Sequence, residues 1–285
     1  MKKAILVVSF GTSYLEVLEK SIQKAENQIK DHFDGYEVFR AFTAHKIIKK
    51  LKIKNNIFID TPEEALDKLY KSGFEEVIIQ PLHIIPGEEF QYIKNVQEAY
   101  INKFKSIKLG RPIFYYQGIE DLPQDYSIFI NTIEEVFENK EAVVMVGHGT
   151  AHSANAVYGC LQSVLQDHGY DNVFVGTVEG YPTFDIVLNR IKKKNIKEVT
   201  LMPLMVVAGD HAINDMASDE EDSWKSMLEA EGIKVKLHMK GLGELEKFNK
   251  LYIKRIEDII ENRYVGAGET KKGKVNENNN NFIQL

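Results

Sequence analysis

The chain has 285 residues, with 36 Lys and Arg against 42 Asp and Glu, a net charge of −6. That acidity argues against a nucleic-acid partner, because such binding rests on clustered positive charge. The single cysteine, Cys160, excludes a disulfide framework and a thiolate metal cluster, so a bound metal must sit on histidines and carboxylates. The apolar run Ala4 to Val8 is too short for a secretory leader, and no window reaches the length of a membrane span. The expected setting is the cytoplasm, with no membrane partner.

Short apolar runs alternate with helical patterns from the start. Ala4–Ser9 reads as a parallel strand buried on both faces. Ser13 and Glu16 form a candidate capping box for a helix carrying Leu15, Leu18, Ile22, Ala25, Ile29 and Phe33 at helical spacing. Glu37–Phe42 is a second strand. Thr61-Pro62-Glu63-Glu64 opens a helix that stops at Gly73, a left-handed cap. Val77–Ile85 is a third strand, Asn95 to Lys105 a helix, and Ile113–Tyr116 a fourth strand. The order then repeats. Strands are expected at Ala142–Val146, Asn172–Thr177, Val199–Val207 and Lys234–Met239. Helices are expected around Ser153–Gln166, from Pro182-Thr183 to Lys194, over Ile213–Glu229, and to about Arg263. This alternation implies parallel sheets with right-handed crossovers.

The halves also match in detail. Val8-Ser9-Phe10-Gly11-Thr12 parallels Val146-Gly147-His148-Gly149-Thr150 at an offset of 138. Glu76–Leu82 parallels Glu198–Leu204 at an offset of 122, which aligns Gly87-Glu88-Glu89 with Gly209-Asp210-His211. The Lys46–Asp60 connection absorbs the difference. Two similar α/β domains are therefore expected, 1–122 and 123–265, with an active-site cleft between them. A polar tail, 266–285, is expected to be disordered.

Ligands of open parallel sheets bind at the carboxyl ends of the strands. Gly147-His148-Gly149-Thr150, Val178-Glu179-Gly180-Tyr181 and Ala208-Gly209-Asp210-His211 stand at such ends in the second half, and Pro86-Gly87-Glu88-Glu89 in the first. His148 between glycines has an unshielded ring. His211 gains meaning from its pairing with His148, since metal sites need converging ligands. Glu179 can equally be solvated surface, and Glu88 and Glu89 a helix start favoured by the dipole. Glu89 holds the repeat position of His211. His83, with apolar neighbours, reads as packing, as does Cys160. His32, His45, His152, His168 and His238 have no evident partner. Asp219–Asp222 reads as a solvated acidic run. Neither GxGxxG nor GxxxxGK[ST] occurs, so no nucleotide cofactor is expected. A phosphatase-type histidine nucleophile would need an adjacent arginine, and the nearest downstream one is Arg190.

Taken together, VSFGTS, QPLHIIPGEEF, VGHGT, VEGYPTF and PLMVVAGDHAINDMA resemble the anaerobic cobalt chelatase family acting on sirohydrochlorin, class II chelatases related to ferrochelatase. The resemblance spans about residues 1–263, with the motifs in the same order. It implies two flavodoxin-like domains with the tetrapyrrole between them. It also implies a metal site of His148, His211 and a glutamate. Glu179 and Glu89 both match positions that the resemblance implicates; Glu179 is the preferred ligand because it shares the half of the histidines, and His148 and Glu89 are the candidates to take the pyrrole protons. Cobalt(II) would be the substrate metal, inserted on the way to cobalamin. The same reaction with iron for sirohaem is the nearest rival, followed by a non-catalytic tetrapyrrole or metal carrier. A two-lobed binding protein would call for a secretion signal. Sirohydrochlorin is an octacarboxylate, so a net acidic chain needs a local basic lining; Arg40, Lys46, Lys49 and helix N-terminal amides are candidates. A homo-oligomer is compatible with the sequence and not required by it.

Overall fold

The structure is a computed structural model in which residues 1–264 are described; the expected tail, 266–285, lies outside the described residues. Two four-stranded, all-parallel sheets organise the chain. The first contains β1 (Lys2–Ser9), β2 (Glu37–Phe42), β3 (Phe74–Pro81) and β4 (Ser106–Leu109), in the order β2-β1-β3-β4. The second contains β5 (Val143–Gly147), β6 (Val173–Thr177), β7 (Glu198–Pro203) and β8 (Lys234–Leu237), in the order β6-β5-β7-β8. Both follow the flavodoxin-like order, in which the strand sequence reverses beside the first strand of each half. The register carries the internal repeat into three dimensions. Val8 pairs with Pro81 and Val146 with Pro203, at the same two offsets as the sequence match. The next residue repeats as well: Leu82 N–H donates to the Val8 carbonyl and Leu204 N–H to the Val146 carbonyl, both at 2.8 Å.

Several elements differ from expectation for identifiable reasons. The first helical stretch consists of α1 (Leu15–Leu18), a π-helical segment Glu19–Gln23, and α2 (Lys24–His32). Its N-cap is Tyr14, not Ser13, and Thr12 Oγ1 accepts from the Tyr14 N–H, so the expected capping box does not form. The Lys46–Asp60 connection is largely a helix, α3 (His45–Asn55), whose lysine-rich pattern hid its periodicity. α4 (Pro62–Lys71) does carry the capping box of Thr61 and Glu64, and Gly73 follows it at φ +77°. α5 runs Glu88–Ala99, seven residues earlier than expected at its start, because Gly87 is its N-cap. The fourth strand is Ser106–Leu109; Ile113 and Phe114 instead donate to the carbonyls of His83 and Ile84 in a loop. α6 (Asp125–Ile133), not anticipated, joins the halves. In the second half, α7 (Ala156–Asp167) and α8 (Phe184–Lys193) stand where expected. The helix expected over Ile213–Glu229 is interrupted: a π-helical segment Ala212–Met216 is separated from α9 (Trp224–Ala230), which Ser223 caps. The chain ends in α10 (Glu246–Ile260).

Three apolar clusters hold these layers. One lies on the outer face of the first sheet around Leu6, Val77 and Ile93, and one on the outer face of the second around Val144, Leu201 and Trp224. The third is shared: Ile5, Val7 and Ile78 of the first sheet, Val143, Met145 and Met202 of the second, and Phe248, Tyr252 and Ile256 of α10 form one continuous core. Alternate residues of β1 and β5 thus serve different clusters, as period-two side-chain geometry requires. α10 reaches across to the first half, where the Tyr252 hydroxyl donates to the Leu82 carbonyl at 2.9 Å. Among the described residues no helix is long and apolar enough to cross a membrane.

Candidate metal site at the strand ends

β5 delivers Gly147 and then His148 to the carboxyl edge of the second sheet. The turn that follows depends on glycine. Gly149 adopts φ +86°, and a Cβ there would stand 2.6 Å from the Gly180 backbone nitrogen. The β5 loop and the β6 loop therefore touch backbone to backbone. Glu179 N–H donates to the His148 carbonyl at 2.7 Å, and Val178 N–H to the Gly147 carbonyl at 3.0 Å. Asn155 clips the same two loops: its Oδ1 accepts from Thr150 N–H at 3.2 Å, and its Nδ2 donates to the Tyr181 carbonyl at 2.8 Å.

β7 delivers Gly209-Asp210-His211 to the same edge. The imidazoles of His148 and His211 meet edge to face, 4.3 Å between ring centres. Each ring has one nitrogen committed. His148 Nδ1 lies 2.9 Å from the Gly149 carbonyl, which can only accept, so Nδ1 carries the proton and Nε2 presents a lone pair. His211 Nδ1 lies 2.6 Å from Asp215 Oδ2, which orients that ring in the same way. A backbone carbonyl and a carboxylate behind two imidazoles are the usual outer partners that fix a metal-binding tautomer. Asp215 is four residues beyond His211, on the same face of the helical segment, so helical spacing alone could have found it.

The expected carboxylates stand differently. Glu179 lies beside His148 through its backbone, and its side chain is exposed. Glu89 sits half-buried in the first turn of α5. Among the described residues, no group of three or more His, Cys, Asp or Glu side chains is gathered closely enough to hold a metal. The structure thus brings the two histidines together and leaves both glutamates short of them.

The first half contributes the facing rim. The loop after β1 carries Phe10, 50% exposed, and Tyr14, whose hydroxyl donates to Asp210 Oδ1 at 2.9 Å. That bond crosses from one half to the other immediately beside His211. The Asp210 carboxylate raises the Tyr14 phenol above its ordinary pKa and keeps it protonated as the donor. Tyr181, 54% exposed, and Ile213 supply apolar surface from the second half. Sequence reading had not singled out Tyr14, Asp210, Asp215 or Asn155.

Arg40 does not belong to a basic lining. Its guanidinium binds both carboxylate oxygens of Glu26, with Nε at 2.7 Å, and also Gln23, and is neutralised there. Lys46 and Lys49 are exposed on α3.

The chain is an α/β protein of two repeated flavodoxin-like sheets, with two histidines paired at the strand ends of the second. SirB from Bacillus subtilis, solved with Fe3+, shares that fold, with a TM-score of 0.59 over 90% of this chain and 95% of that one at 15% identity. The chain belongs to the cobalt chelatase (CbiK) family, whose model matches residues 3–261. The sirohydrochlorin cobaltochelatase of Salmonella typhimurium strain LT2 is 40% identical over 265 residues, covering 91% of this chain and 97% of that protein. The sirohydrochlorin cobaltochelatase CbiKC of Nitratidesulfovibrio vulgaris strain Hildenborough is 30% identical over 261 residues, covering 91% of each.

Proposed function

We propose that the chain is a sirohydrochlorin cobaltochelatase, inserting cobalt(II) into the metal-free macrocycle in anaerobic cobalamin synthesis. The observation that carries this reading is the His148–His211 pair, its two Nε2 atoms free and both rings locked from behind. Two imidazoles suit a first-row divalent ion and leave most of its coordination positions open for exchange. Cobalt(II) enters as a substrate, bound by His148 and His211, with the Glu179 carboxylate as third ligand when its exposed side chain turns inward. The macrocycle lies against Phe10 on one side and Tyr181 and Ile213 on the other, its centre over the histidines. Two N–H bonds break and the ion's bonds to its protein ligands break as four Co–N bonds to the macrocycle form, and two protons leave. Glu89 accepts one. His148 accepts the other at Nε2 once the ion has moved to the ring. No nucleotide enters this balance.

The test follows the absorption change when purified protein, sirohydrochlorin and cobalt(II) are mixed, with iron(II) and nickel(II) in parallel. Acceleration over the spontaneous rate is expected with cobalt(II), and its absence with all three metals would refute the enzyme reading. His148→Ala and His211→Ala should each lower kcat/KM by on the order of 100-fold or more. Full turnover in both variants would remove the ligand assignment.

A further inference from the structure

We propose that α3 forms the cationic wall of the substrate site, with Lys50 and Lys46 as the residues that take up a carboxylate arm of the macrocycle. This deepens the chelatase reading and rests on it. The net charge of −6 makes such a wall necessary, since an octacarboxylate would otherwise approach an acidic surface.

α3 carries Lys46, Lys49, Lys50, Lys52 and Lys54 and has no acidic residue in its first turn. Among the described residues, Lys46, Lys49 and Lys50 enter no ion pair, whereas Arg40 is consumed by Glu26. The helix begins at the edge where ligands bind. Thr43 N–H donates to the Ser9 carbonyl and Ala44 N–H to the Phe10 carbonyl, which lays the start of α3 along the β1 loop. Lys50 Nζ stands 5.4 Å from the centre of the Tyr14 ring. Tyr14 in turn bonds Asp210, the neighbour of His211. The Tyr14–Asp210 bond and the Lys50–Tyr14 contact therefore lead from the neighbour of His211 outward to the Lys50 ammonium, the path a peripheral arm follows when the ring centre lies over the metal. Lys46 is one turn earlier, nearer the helix start, on the same face as Lys50. Lys52 points elsewhere, with its Nζ 5.4 Å from the Phe58 ring.

The experiment measures binding without metal or turnover, using the fluorescence of uroporphyrin I, an octacarboxylate, and coproporphyrin I, a tetracarboxylate. The full-length protein should bind the octacarboxylate more tightly, with an affinity that falls as salt rises. Lys50→Gln should raise its Kd about tenfold, and the double variant Lys46→Glu/Lys50→Glu about a hundredfold, the effect of one and then two charge-assisted contacts. The tetracarboxylate should respond less, and the melting temperature should not move. Lys52→Glu/Lys54→Glu, with the same change of net charge further along α3, should leave Kd within twofold. The proposal is overturned if Lys46→Glu/Lys50→Glu binds like wild type, if Lys52→Glu/Lys54→Glu weakens binding equally, or if wild type does not prefer the octacarboxylate. Because the readout is binding, a protein that shows this lysine dependence yet inserts no cobalt upholds the wall while refuting the enzyme reading.

Discussion

His148 and His83 show how differently two histidines at strand ends can be used. His148 keeps one nitrogen bonded and the other free at the surface of the cleft. His83 has both ring nitrogens shielded and unpartnered, and burial pushes its pKa from 6.5 down to about 4. The unfolded chain therefore binds a proton between those values that the folded chain refuses. Stability tied to His83 is fully present above about pH 6.5 and is lost as pH falls toward 4, by up to about 3 kcal/mol. Desolvation lowers His238 in the same direction. His83→Met, the residue at its repeat position in the second half, should flatten the fall in urea midpoint between pH 7 and pH 4. An unchanged pH dependence would show that the group protonates freely in the fold. The packed character of His83 was legible from its apolar neighbours. The partners of His32, His152 and His168, namely Glu257, the Ala154 N–H and Ser127, were not, because two of the three lie more than forty residues away.

At the scale of elements, the site depends on loops more than on strands. The repeat, most of the strands and the two histidine loops were legible because buried parallel strands leave continuous apolar runs; the order of the strands in each sheet was not. The extents of β3 and β7 were not: apolar residues continue past Pro81 and Pro203, but the ladder stops and the chain turns to build the site. α3 was missed because its lysines obscure the apolar stripe of Ile47, Ile48 and Leu51. Gly149 offers a test of the loop geometry. Its positive φ costs an alanine about 1 kcal/mol, as at any such position. Its neighbour across the gap is backbone, the Gly180 nitrogen, and cannot yield as a side chain would. Gly149→Ala should therefore displace His148 and Glu179 and lower kcat by on the order of 100-fold, a consequence of misplacing reacting groups. Gly169→Ala provides the contrast: φ is +81°, yet nothing lies within 4 Å of the added carbon. It should cost similar backbone energy and leave turnover intact. Equal losses of activity in the two variants would mean that the β5–β6 loop contact does not position the site.

The whole molecule is bound together across its two halves. The shared core is one connection, and a buried ion network is the second. Asp125 of α6 accepts from Arg111 at 3.3 Å and from the Tyr116 N–H at 3.0 Å, and pairs with Arg255 of α10 at 2.9 Å. Asp258 of α10 pairs with Arg111 at 2.8 Å. These four side chains are 4% exposed or less. Desolvation lowers Arg255 to a pKa of about 10, so it remains charged at neutral pH, and its carboxylate partner is required. Asp125→Ala leaves two buried guanidinium groups short of a counter-charge and should cost about 3–5 kcal/mol. Because α10 belongs to the shared core, that loss should not be confined to one half. The single tryptophan, Trp224, lies in the outer cluster of the second half and reports on that half alone, whereas far-ultraviolet circular dichroism reports on all helices. In wild type the two probes should melt together, and in Asp125→Ala both should shift down by the same interval. A Trp224 transition that stays in place while the helical signal moves would establish that the halves unfold independently, and the cleft would then be a hinge between two domains instead of a groove cut into one cooperative unit.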